Sequence, residues 1–137
     1  MMKRIVLLSC VKAKLAYPAK AKELYVSDLF KKSYAYAQSI LPDKVFILSA
    51  KYGLIDCEER IEPYELTLNT MGAKERMVWS SKVIKQLAIK SDLEHDKFIF
   101  LAGERYRKYL LPSIKNVEIP MEGLRIGEQM AWLKRMI

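Results

Sequence analysis

Histidine and cysteine are the scarcest reactive residues in this 137-residue chain: one histidine, His95, and two cysteines, Cys10 and Cys57. A lone histidine disfavours a Ser-His-Asp triad. No His/Cys cluster has the spacing of a zinc or iron-sulfur site, and the carboxylates are not grouped to hold a metal. No metal and no cofactor are expected. Two cysteines are too few for a disulfide framework, so a reducing cytoplasm is the expected location. No apolar run approaches the roughly 18 residues of a membrane span, so no membrane partner is expected. The apolar run Ile5 to Leu8 is too short for a signal-peptide core. With 5 glycines and 5 prolines the chain is neither collagenous nor of low complexity, and it carries no GxxxxGK[ST] phosphate loop.

What remains is an ordinary soluble composition, 51% hydrophobic and 29% charged, at a length suited to one domain spanning residues 1–137. Lys and Arg number 24 against 16 Asp and Glu, a net charge of +8 that favours phosphate-rich partners. Position matters more than the total. The first 32 residues hold eight basic and two acidic side chains, so three quarters of the excess lies in the first quarter of the chain.

Three short runs, IVLLS from Ile5, VFILSA from Val45 and FIFLAG from Phe98, are rich in β-formers and do not alternate. Strands buried on both faces of a parallel sheet read this way. Between them lie helical patterns. Ser27 can cap a helix presenting Phe30, Tyr34, Ala37 and Leu41, ended by Pro42. A second helix starts near Gly72 and presents Ala73, Met77, Ile84 and Leu87, with Trp79 at its edge. Glu104 to Leu111 reads as a short helix stopped by Pro112, and Val117 to Ile119 as a fourth strand. A last helix carries Ile126, Met130, Leu133 and Ile137. This order predicts an α/β fold, three layers α/β/α around a mostly parallel four-stranded sheet.

Ligands of such folds bind outside the carboxyl ends of the strands, which directs attention to four loops. The first, SCVKAK, offers Ser9, Cys10, Lys12 and Lys14, able to hold a phosphate or a base edge. Its plainer reading is a solvated loop. Cys10 as a nucleophile lacks a base, because His95 falls at the opposite end of the sheet. The second, LSAKYGLI with EPYELTL, is the most distinctive. More than twenty residues separate strand and helix there. Ser49, Lys51, Tyr52, Gly53, Tyr64 and Thr67 provide a turn, a cation and rings able to stack on a base. Alternatively the tyrosines cover the core. Among acids, Glu104 begins a helix, where the dipole favours it in any case, and Glu23 in AKELY has a salt bridge as its plainer role.

SCVKAK, AKELYVSDLF, LSAKYGLI, EPYELTL and GLRIGEQMAWL together resemble a small bacterial, archaeal and phage family known as domain of unknown function 6884. More distantly the layout is similar to the lyase-like domain of archaeosine synthase and to a peroxide-stress protein, YaaA. The resemblance implies a fold related to uracil-DNA glycosylases and a pocket for a modified or extruded nucleobase. It points to Ser9, Cys10, Lys12 and Lys14 in the first loop, to Ser49, Lys51, Tyr52 and Gly53 in the second, and to Tyr64 and Thr67 in the long one. Neither the GQDPY-type loop nor the HPSP-type loop of those glycosylases is present, which argues against standard uracil excision.

The expected function is therefore nucleobase handling, foremost N-glycosylase-like hydrolysis of a modified base in DNA or RNA, with Tyr52 or Tyr64 stacking and Glu104 or Glu23 as the acid. A non-catalytic nucleic-acid-binding module and an enzyme acting on free nucleotides are the alternatives. A pocket shared by these loops requires Ser9, Lys51, Tyr52 and Glu104 to converge on one cleft.

Overall fold

The computed structural model describes residues 2–9 and 13–137. Strand β1, Arg4–Ser9, is followed by a two-residue strand β2, Ala19–Lys20, and a single-turn helix α1, Ala21–Leu24. Helix α2, Asp28–Ser39, leads to β3, Lys44–Ser49, then β4, Gly53–Asp56, and a short β5, Arg60–Ile61. After a 3-10 turn at Leu68–Thr70 come α3, Ala73–Lys90, and β6, Lys97–Leu101. Helix α4, Glu104–Arg107, a second 3-10 turn at Leu111–Ser113, β7, Asn116–Glu118, and α5, Ile126–Met136, complete the chain.

The central sheet has five strands, ordered β4-β3-β1-β6-β7, rather than the four expected. Strands β1, β3, β6 and β7 run parallel, and β1 lies between β3 (Val6 opposite Val45) and β6 (Val6 opposite Ile99). The added strand is antiparallel. Gly53, at φ +78°, turns the chain back on itself, so that Leu54 pairs with Leu48 and Ile55 with Ile47. Part of the presumed long loop is thus a strand, and β5 pairs with β2 in a small separate ribbon.

Residues of β1 alternate between two cores. Val6 and Leu8 pack with Leu24 of α1, Phe30, Tyr36 and Ala37 of α2 and Leu133 of α5. On the opposite face Ile5 and Leu7 pack with Trp79, Val83 and Leu87 of α3 and Tyr106 of α4. Helices therefore cover both faces of the sheet.

The apolar stripes differ from their expected positions. Ser27 caps α2 by accepting the Phe30 N–H at 3.2 Å, as the sequence requires. Leu41, however, lies beyond the helix at φ +51° and is 84% exposed, while Tyr36 takes its place in the core. In α3 the first six residues bury nothing fully. Met77 is 53% exposed, and Trp79 is a core residue rather than an edge one. In α5 Ile126 and Ile137 face solvent, and contact with the body comes through Leu133 and through Trp132, edge-on to Tyr36 at 5.0 Å. Among the described residues, no helix is long and apolar enough to cross a membrane.

Candidate functional site

Helices α1 and α2, the next helices after β1, pack on one face of the sheet and α4, the helix after β6, packs on the other, so a crevice opens between the carboxyl ends of these two neighbouring strands. A cavity of about 540 Å³ occupies it. Its floor is Ser9 and Leu101 to Gly103. Leu29, Phe30 and Ser33 of α2 form one wall and Glu104 to Lys108 the other, with Met121, Gln129, Asn69 and Arg76 closing the rim. Ser9 joins the two strand ends by accepting the Gly103 N–H at 3.1 Å, which places it beside Glu104. Tyr106 supports the second wall. Its ring stands edge-on to Trp79 at 5.7 Å, and its hydroxyl accepts the Leu68 N–H at 3.4 Å.

Charge in the cleft is one-sided: Arg76, Arg105, Arg107 and Lys108 against Glu104. None of the five belongs to an ion pair within 4 Å among the described residues. Arg107 donates to the Ala102 carbonyl at 2.8 Å, holding the end of β6. Elsewhere four lysines are paired, Lys20 and Lys22 with Glu58, Lys90 with Asp56 and Lys97 with Glu118, while others such as Lys31, Lys74 and Lys82 form no ion pair among the described residues.

A second group of side chains lies next to the cleft, across Phe30. The Tyr25 and Tyr64 hydroxyls share a hydrogen bond at 2.5 Å. Lys14 sits 4.5 Å above the Tyr64 ring, and Tyr52 meets that ring edge-on at 5.6 Å. Lys51 lies 5.3 Å from the Tyr52 ring, and the Tyr25 ring is 5.2 Å from Phe30. Tyr64 touches both cores and so caps the end of the sheet.

The residues singled out by sequence therefore separate. Ser9 and Glu104 are brought together in the cleft; Lys14, Lys51, Tyr52 and Tyr64 form the neighbouring cluster and do not line it. Ser49 is wholly buried and shapes the turn: its hydroxyl accepts the Tyr52 N–H at 3.0 Å and its carbonyl accepts Trp79 Nε1 at 2.9 Å. Gly53 is needed where it stands. A Cβ there would collide with the Gln86 amide, which accepts the Leu54 N–H at 2.9 Å. Thr67 caps the 3-10 turn through the Asn69 N–H at 3.1 Å. Glu23 is exposed on α1, away from the cleft, and the salt bridge expected of it is made nearby by Glu58 instead. Cys10 and Lys12 lie outside the described residues. Ser9, Lys51, Tyr52 and Glu104 do not share one cleft.

Sequence reasoning passed over Arg76, Arg107, Lys108, Phe30 and Tyr106. The GERYRKYL segment held the signal for most of them, but Arg76 comes from a different element and only the fold brings it near. Cys57 is buried, and its thiol is pushed up to about 11, first by desolvation and then by Asp56 and Glu58, so it is a poor nucleophile near neutrality. Among the described residues no three His, Cys, Asp or Glu side chains group as metal ligands.

Comparison with curated proteins gives no match. The pattern that defines the family of unknown function DUF6884 matches residues 5–135, from the start of the central strand to the last turn of α5, and the chain belongs to that family.

Proposed function

We propose that this protein handles a nucleobase, as an N-glycosylase-like hydrolase acting on a modified base in DNA or RNA, on a scaffold related to the uracil-DNA glycosylases. The observation that carries the reading is the cleft itself: a cavity at the β1/β6 crevice with one carboxylate, four cations and an apolar wall. About 540 Å³ suits a single nucleotide unit. Leu29, Ile119 and Ile126 offer apolar surface to the faces of an extruded base, and the side chains of Ser9, Asn69 and Gln129 can read its edges. The rings of Phe30 and Tyr106 are almost wholly buried and back the cleft rather than stack on a base.

In this reaction the C1′–N bond breaks with its electron pair leaving on the base nitrogen, which takes up a proton. Water adds to C1′ and gives up its proton. Glu104 is the group placed to orient that water and to stabilise the oxocarbenium-like sugar. The cations belong on the phosphates, away from the developing positive charge.

Among the described residues Glu104 is the only acid lining the cleft, whereas glycoside-cleaving sites use two carboxyl groups. That favours, as a second reading, a binding module of the same fold. Base release separates the two. The protein is incubated with DNA and tRNA carrying deazaguanine or hydroxymethyl-type bases, and with the matching mononucleotides, and freed bases are measured by mass spectrometry. Release from polymer by the wild type, lost in Glu104→Gln, is the expected result. Release from mononucleotides alone makes the protein an enzyme of free nucleotides. Intact substrates throughout, with binding retained, leave the binding module.

A further inference from the structure

Arg76 has no account in the fold. It stands in the first turn of α3, the end of a helix where the dipole disfavours a cation. Its Nε is shut off from solvent and has no hydrogen-bond partner among the described residues, although a buried guanidinium N–H left without an acceptor is costly. Among the described residues it forms no ion pair. The guanidinium is 5.4 Å from the Tyr109 ring, and Lys108 Nζ approaches the same ring at 5.5 Å. One half-buried ring thus has two cations within cation–π reach, both lining the cleft.

We propose that Arg76, with Lys108 at the same Tyr109 ring and Arg105 in the lining of the same cleft, forms an oxyanion seat for the phosphate group of the bound unit. The seat deepens the nucleotide reading above and supplies its anchoring contact. Arginine fits this task because its fork donates two parallel hydrogen bonds to two oxygens of one tetrahedral anion, whereas lysine offers a point charge. Glu104 stays out of ion-pair reach of these cations, so they keep their charge for a ligand. The phosphate comes from a free nucleotide or from a nucleic-acid strand, and the chemistry of the seat is the same for both.

The test titrates the full chain by calorimetry with pyrophosphate, a nucleoside 5′-monophosphate, its unphosphorylated nucleoside, a short single-stranded oligonucleotide and succinate. Arg76→Gln, Arg76→Lys and Lys108→Gln are compared with the wild type, and melting temperatures confirm that each variant is folded. The expected result is binding of pyrophosphate and the monophosphate that weakens about tenfold or more in Arg76→Gln, with only partial recovery in Arg76→Lys. If Arg76→Gln fails to fold, Lys108→Gln must weaken pyrophosphate binding severalfold. Tighter binding of the oligonucleotide than of the monophosphate identifies a strand as the source, and the reverse identifies a free nucleotide; either supports the seat. Equal affinity for succinate overturns the phosphate assignment. Affinity unchanged in the folded variants, or no binding of any phosphate by the wild type, overturns the seat. Arg76-dependent phosphate binding without base release keeps the seat and removes the hydrolase.

Discussion

Two groups of polar side chains lie on either side of Phe30, and they differ in how their bonding capacity is used. In the tyrosine-lysine cluster the rings lean on one another: Tyr25 bonds Tyr64, Lys14 covers Tyr64 and Tyr52 braces the same ring, with exposed Lys51, like Arg76 and Lys108, only near a ring. In the cleft Arg76, Arg105, Lys108 and Glu104 are close enough to share a cavity and make no ion pair. Interlocked groups stabilise and gain little from a ligand. Unpaired cations around a cavity keep their electrostatic work for one. On this view the cluster holds the wall and the cleft receives the substrate.

Perturbing the shared support should give the largest effect. Trp79 bonds the Ser49 carbonyl on the cluster side and packs edge-on to Tyr106 on the cleft side. Trp79→Ala is expected to cost about 3–5 kcal/mol in urea unfolding; a loss of ligand affinity at unchanged stability would break the division of labour. Gly53→Ala should cost at least about 1–2 kcal/mol, because φ +78° disfavours any Cβ and the Gln86 amide has to move. Its readout is the same unfolding midpoint, and an unchanged value would show that the hairpin turn is not needed.

The hydroxyl pair sharpens the comparison further. Tyr25→Phe and Tyr64→Phe should each cost about 0.5–1.5 kcal/mol, with the double variant costing less than their sum. Phosphate affinity falling more than stability would move these rings from bracing to binding. The smallest effect concerns a paired surface charge. Hydrogen bonds from Lys22 and then Lys20 hold the Glu58 carboxyl below its ordinary value. A depressed carboxylate contributes above its unfolded value and loses that contribution as pH falls through the folded one. The small difference in melting temperature between wild type and Glu58→Gln should therefore be present at pH 7 and shrink as pH falls below the ordinary carboxylate value. A difference that persists in acid would mean Glu58 acts by packing.

Some of this was legible in residues and some was not. The β1, β3 and β6 runs announce themselves because strands buried on both faces cannot hide their apolar character, and Ser27 marks the start of α2. The antiparallel β4 did not, since four residues after a glycine carry too short a pattern. The expected stripe on α3 began at Ala73, but the sheet beneath that helix first receives Trp79, so Met77 has nothing to cover. Glu104 and Ser9 could be named from their place after strands. Arg76 could not, because what sets it apart is a missing partner, and partners are a property of the fold. Motif distinctiveness also misled: LSAKYGLI carries Ser49 and Gly53, which serve the turn.

The bond between Ser9 and Gly103 joins residues 94 positions apart, and β1 must find both β3 and β6 to be placed. The β3–β4 hairpin closes locally and can form early, whereas the crevice requires the first strand to wait for one synthesised much later. A ribosome-bound chain lacking β6 lacks that crevice. Any activity of this protein therefore begins late in its synthesis, and fragments ending before residue 101 should be inert however well their helices form.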